Sequence, residues 1–98
     1  MKGISFNRLA DRELTEAVQR YDAESPGLGD RFLEEVYGAL GILLRFPGAS
    51  PRVLGQVRRF VLPGFPYSLL YELRDAGRIR ILAVAHQKRD PRYWIGRR

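Results

Sequence analysis

Tyr67-Ser68-Leu69-Leu70-Tyr71-Glu72-Leu73-Arg74, then Asp75-Ala76-Gly77, then Arg78-Ile79-Arg80-Ile81-Leu82-Ala83-Val84-Ala85-His86 is the stretch on which the fold turns. Two runs rich in aliphatic and aromatic residues flank a tight turn, and short turns between consecutive strands dictate antiparallel pairing. Period-two alternation puts Leu69, Tyr71 and Leu73 on one face of the first run. Ser68, Leu70, Glu72 and Arg74 take the other. In the second run Ile79, Ile81, Ala83 and Ala85 oppose Arg80, Leu82, Val84 and His86. One face is more apolar and calls for a cover. The other, mixed and partly cationic, is left open.

Outward from this hairpin, Gln56 to Leu62 reads as another strand, turned by Pro63-Gly64-Phe65-Pro66. Residues 47 to 55, punctuated by Pro47, Gly48, Pro51 and Gly55, read as loop. Residues 28 to 46 carry Phe32, Val36, Leu40, Leu43 and Leu44 at helical spacing, and Gly38 and Gly41 suggest a close helix–helix contact. Residues 8 to 24 carry Leu9, Leu14, Ala17, Val18 and Tyr21 on one side, with Asn7 as N-cap and Ser25-Pro26-Gly27 as breaker. Ile4-Ser5-Phe6 alternates as a short strand. After His86, Asp90-Pro91 resembles an N-cap and first-turn proline, which predicts a short helical turn from Pro91 to about Ile95. The predicted fold is α+β in the order β-α-α-β-β-β. An antiparallel sheet carries an N-terminal helical hairpin on one face and a short C-terminal helical turn.

Ninety-eight residues predict a single domain spanning 1–98. The lack of cysteine excludes disulfides, thiolate nucleophiles and thiolate metal sites, and one histidine cannot build a His-rich centre. No metal and no cofactor is expected. No stretch is long or apolar enough to span a bilayer, and the N-terminus lacks the apolar run of a signal peptide, so a cytoplasmic location is expected. The net charge of +6 is unevenly spread: residues 1–44 hold five Lys/Arg against eight Asp/Glu, and residues 45–98 hold twelve against three. The basic half should face nucleic acid, a nucleic-acid-bound complex or an acidic protein.

The order of segments also resembles the RelE/ParE superfamily of toxins from type II toxin–antitoxin systems. The matching stretches are Phe6 and Ala10, Gly29-Asp30-Arg31-Phe32, Arg58-Arg59-Phe60, Phe65 to Tyr71, and Ile79 to Trp94. His86, Arg89, Pro91 and Trp94 are closer to the ParE-like, plasmid-stabilisation branch. The resemblance implies a growth-inhibiting toxin held inactive by a cognate antitoxin. One branch of the superfamily cleaves messenger RNA in the ribosomal A site; ParE proper inhibits DNA gyrase.

Metal-free RNA cleavage needs a base for the 2′-hydroxyl, cations for the phosphorane-like transition state and an acid for the 5′-oxygen. His86, Arg58, Arg80, Arg89 and Tyr93 are the candidates. Against them, Ser68 stands where the ribonuclease branch usually has arginine, and residues 47–55 contain no acid. The leading expectation is therefore a toxin that inhibits a gyrase-like target by binding, through Arg58, Arg59, Lys88, Arg89, Arg92, Arg97 and Arg98. Leu70, Leu82 and Val84, too apolar for an uncovered sheet face, are expected to meet the antitoxin; a C-terminal turn folded back with Trp94 would cover them equally well. The alternatives are a ribosome-dependent endoribonuclease centred on His86, and an inactive toxin that serves only as its antitoxin's DNA-autoregulatory partner.

Overall fold

The computed structural model describes residues 2–98. Strand β1 (Ile4–Phe6) leads into helices α1 (Arg8–Glu24) and α2 (Leu28–Arg45). Strands β2 (Arg52–Leu54), β3 (Val57–Val61), β4 (Tyr67–Leu73) and β5 (Ile79–His86) follow. The five strands form one sheet in the order β1-β5-β4-β3-β2. The α+β class and the helical hairpin are as the sequence predicts.

Two features of the sheet differ from that reading. The sheet is mixed, because β1 runs parallel to β5, pairing Ile4 with Ile79 and Phe6 with Ile81. The segment read as loop contains β2, which pairs antiparallel with β3 through Arg52 and Arg58. Turn residues on both sides hide three extended residues, which need only one neighbouring strand to hold them.

Asn7 starts α1 as predicted: its side-chain oxygen accepts the amides of Leu9 at 2.8 Å and Ala10 at 3.4 Å. Gly27, at φ 88°, supplies the left-handed residue that turns the chain into α2. The close helix–helix approach is made at Gly29. A Cβ there would lie 2.5 Å from the Val18 carbonyl oxygen and 2.7 Å from the Asp22 carboxylate. Gly38 and Gly41, expected at that contact, instead face away from the core, and a Cβ on either would meet nothing within 4 Å.

The main core lies between the hairpin and one face of the sheet. Ala10, Leu14 and Ala17 from α1 and Phe32, Val36, Leu40 and Leu43 from α2 pack on Leu69, Tyr71, Ile79, Ile81 and Val84. Tyr21, Phe32, Phe65 and Tyr67 form an aromatic cluster at its end, with ring centroids 5.0–6.1 Å apart.

The second face is covered as well. Val57, Leu70, Leu82, Ala83 and Ala85 are buried beneath Trp94, with Tyr93 packed alongside. The residues after β5 form a strap of successive turns rather than the expected helical turn: Tyr93 N donates to Asp90 O, Ile95 N to Arg92 O and Arg97 N to Trp94 O. Two consequences follow for the residues expected to meet the antitoxin. Leu70 and Leu82 do not sit on an open face, because Trp94 covers them. Val84 sits in the helix-side core, 2% exposed. Its change of face follows from a bulge in β5. The ladder steps from Leu70–Ala83 to Tyr71–Ile81, leaving Leu82 as the extra residue and reversing the alternation beyond it.

Candidate functional site: the C-terminal strap and its clefts

The strap is pinned along its length. Strand β1 ends opposite Ile81, so the outer edge of β5 beyond that point has no strand neighbour. An ion pair takes the strand's place. Glu13 accepts the Val84 amide at 3.0 Å, and Arg97 donates to the Leu82 carbonyl at 3.1 Å. Arg97 also grips Glu13 with both terminal nitrogens, at 2.9 and 3.1 Å. The two side chains are only 12% and 14% exposed. Farther along, the Arg98 carbonyl oxygen accepts from Asn7 Nδ2 at 2.7 Å and Arg80 Nη2 at 3.2 Å.

Tyr93 lies between two guanidinium groups, with Arg89 3.8 Å and Arg97 4.9 Å from its ring centroid. Its hydroxyl is buried and has no hydrogen-bond partner among the described residues. Burial first, and then the neighbouring Glu13 carboxylate, push the phenol well above its ordinary pKa. Tyr21 is also pushed up, by burial and then by Tyr67.

Two clefts border the strap. The first, about 240 Å³, lies between the strap and the β2–β3 edge. Arg59, Arg89 and Arg92 line it with Val53, Leu54, Ser68, Leu70 and Ile95. Its one acid, Asp90, accepts the Arg92 amide at 2.9 Å. Val53, Leu54 and Ile95 are exposed, so the cleft combines cations with an apolar rim. The second, about 380 Å³, lies on the helix side of the end of β5 and collects Glu13, Glu16, Arg20, Tyr67, His86, Lys88 and Arg89. Arg20 donates to the Tyr67 hydroxyl, and the Tyr67 ring meets His86 edge-on at 5.0 Å. His86 Nδ1 accepts the Lys88 amide at 3.0 Å. A nitrogen that accepts carries no proton, so the ring's proton sits on Nε2.

The residues read from the sequence are thus only partly brought together. Arg89 and Tyr93 stack on each other, and Arg89 reaches both clefts. Arg58 lies apart, donating to the carbonyls of Gly48 at 3.1 Å and Ser50 at 2.6 Å. Arg80 is engaged with the Phe6 carbonyl at 2.9 Å and with Arg98. Arg59 points to the strap side, into the first cleft. Arg97 is held in the ion pair, and Arg98 reaches the chain through its carbonyl. Lys88 and Arg92 form no ion pair among the described residues. Glu13, Glu16 and Arg20 escaped the sequence reading. Their spacing puts them on one side of α1, but nothing in the sequence says that β5 ends beside that side. No group of three or more His, Cys, Asp or Glu that could hold a metal ion occurs among the described residues.

A helical hairpin on a small mixed sheet, closed on its other face by a basic C-terminal strap, defines a toxin-like domain of the RelE/ParE kind. Residues 4–91 match the family described as ParE toxin of type II toxin-antitoxin system, parDE, and the chain belongs to that family. A solved structure described as the chromosomal ParDE TA system from P. aeruginosa shares the fold, with a TM-score of 0.72 and 20% identity over 85% of this chain and 92% of that one. No curated protein matches the chain.

Proposed function

We propose that the chain acts as a single-domain toxin that binds and inhibits a gyrase-like target and is neutralised by a cognate antitoxin. The first cleft carries this reading. Arg59 and Arg92 have no carboxylate partner among the described residues and stand beside exposed Val53, Leu54 and Ile95. Unpaired cations next to apolar side chains suit an acidic protein surface, where charge steers encounter and apolar contact holds the complex. The dispersal of the ribonuclease candidates supports binding over hydrolysis. Arg58 and Arg80 are each held to backbone carbonyls, and the Tyr93 hydroxyl is buried. Supercoiling by purified DNA gyrase is the test: inhibition at micromolar chain is expected, and undiminished supercoiling would sink the gyrase version.

One observation favours a second reading, ribosome-dependent RNA cleavage. The second cleft sets the Glu16 carboxylate and the His86 imidazole among Arg20, Lys88 and Arg89. Glu16 would enter that chemistry as the base and the cations would stabilise the transition state, while His86 would serve as the acid only as the imidazolium, after Nδ1 releases the Lys88 amide. Induction would then cut translated messages, and His86→Ala would abolish the cuts. Intact messages would end this reading.

A further inference from the structure

Helix α2 turns one stripe to the core and leaves the opposite face without a neighbour. Glu34, Gly38, Gly41 and Arg45 run down the middle of that face, flanked by Tyr37 at 52% exposure and Ile42 at 47%. Two large apolar side chains thus stand in water on either side of a strip that carries glycines at its centre and opposite charges at its ends. Glu34 and Arg45 form no ion pair among the described residues. Neither Gly38 nor Gly41 has a positive φ, and nothing packs against either.

The face is self-complementary when reversed. Glu34 lies as far before the point between Ala39 and Leu40 as Arg45 lies after it, and Gly38 and Gly41 straddle the same point. Two copies of α2 laid antiparallel about a two-fold axis there would set Glu34 of each against Arg45 of the other. This is the reciprocal pattern an isologous interface requires. No side chain at the crossing would hold the axes apart. The two Tyr37 side chains would line one flank and the two Ile42 side chains the other.

We propose that this face of α2 is a self-association surface through which two copies of the chain pair antiparallel. A single helix pair falls at the small end of specific interfaces, so the pairing is weak and concentration-dependent. The ion pairs fix orientation and register more than they add affinity. The surface lies apart from both clefts beside the strap, so the proposal stands whether or not the gyrase reading holds.

Sedimentation velocity of the purified full chain tests it. The mass should rise from 11.3 kDa toward twice that value across the micromolar range. Glu34→Arg sets arginine against arginine twice and should weaken association about ten-fold or more. Adding Arg45→Glu to it should restore association, and Ile42→Glu should abolish it. All these positions are exposed, and circular dichroism checks that the variants fold. A chain that stays monomeric throughout overturns the proposal. So does a dimer indifferent to Glu34→Arg, which would use another face, or a double variant that does not recover. If the chain is monomeric and Ile42→Glu instead weakens its binding to the antitoxin, the face belongs to that partner and self-pairing is overturned.

Discussion

Glu13 sits in the first turns of α1, and in the sequence it looks no different from Asp11 or Glu16. In the fold it holds Val84 N and both terminal nitrogens of Arg97, in place of a strand β1 that is too short to continue. Glu13→Ala would leave a β5 amide without an acceptor and a mostly buried guanidinium without its counter-charge. An expected loss of about 3 kcal/mol follows from those two costs. Urea unfolding followed through Trp94, the only tryptophan, would show it as a lower midpoint at unchanged m-value. Glu13→Gln keeps an acceptor for Val84 and should lose less. Tyr93 makes a second residue-scale prediction. Its raised folded pKa means that the folded state holds the phenol proton where the unfolded chain has begun to release it. The stability is therefore fully present below about pH 10, the ordinary tyrosine value, and declines as pH rises further. Tyr93→Phe removes this alkaline loss and a buried hydroxyl without a partner, so near neutral pH it should be neutral or stabilising by up to about 1 kcal/mol. Thermal melts at pH 7 and above pH 10 would compare the two. Tyr93 was visible in the sequence as a candidate, but Glu13 was not, because Val84 and Arg97 lie 71 and 84 residues away from it along the chain.

The elements divide into those that local pattern reveals and those that it does not. The helices, β4 and the β4–β5 turn were legible because caps, breakers and periodicity all act within a few residues. The mixed sheet was not, since the partner of β1 is fixed by a distant edge. The end of β5 was misread for another reason: a bulge at Leu82 shifts the alternation, and Ala83, Val84 and Ala85 are all apolar, so the pattern is silent about the phase. The open face was half legible: of the two covers the sequence offered for Leu70 and Leu82, a partner or a C-terminal turn folded back with Trp94, the second is the one found. Glycine pattern was similarly ambiguous, and structure separates the cases. Gly29→Ala would press a methyl into the Val18 carbonyl and the Asp22 carboxylate, and overpacking of this kind costs about 2 kcal/mol or more. Gly41→Ala meets open space and should raise stability by about 0.5–1 kcal/mol. Thermal melts of the two variants, at protein concentrations low enough to keep copies apart, should therefore move in opposite directions.

At the scale of the whole molecule, the charge asymmetry seen in the sequence survives folding in a more selective form. The acidic residues of α1 lie near the strap but reach the second cleft, where Glu13 and Glu16 offset Arg20, Lys88 and Arg89. The first cleft has no such balance. Arg59, Arg89 and Arg92 face one acid there, and that acid is engaged by a backbone amide. Of the two, the first cleft is therefore where an anionic partner gains most, and its field should act mainly on encounter. Screening shortens from about 10 Å at 0.1 M salt to about 3 Å at 1 M. Association with the gyrase-like target proposed for this cleft should accordingly slow steeply as salt is raised, while dissociation changes much less. Arg92→Glu reverses an exposed cation without touching the ion pair that holds the strap. It should reduce the association rate constant about ten-fold at low salt and lose most of that effect at high salt. Stopped-flow mixing of the two proteins over a salt series would measure both quantities. An Arg92→Glu effect confined to dissociation, or insensitive to salt, would mean that the cleft grips its partner by contact rather than drawing it in by charge.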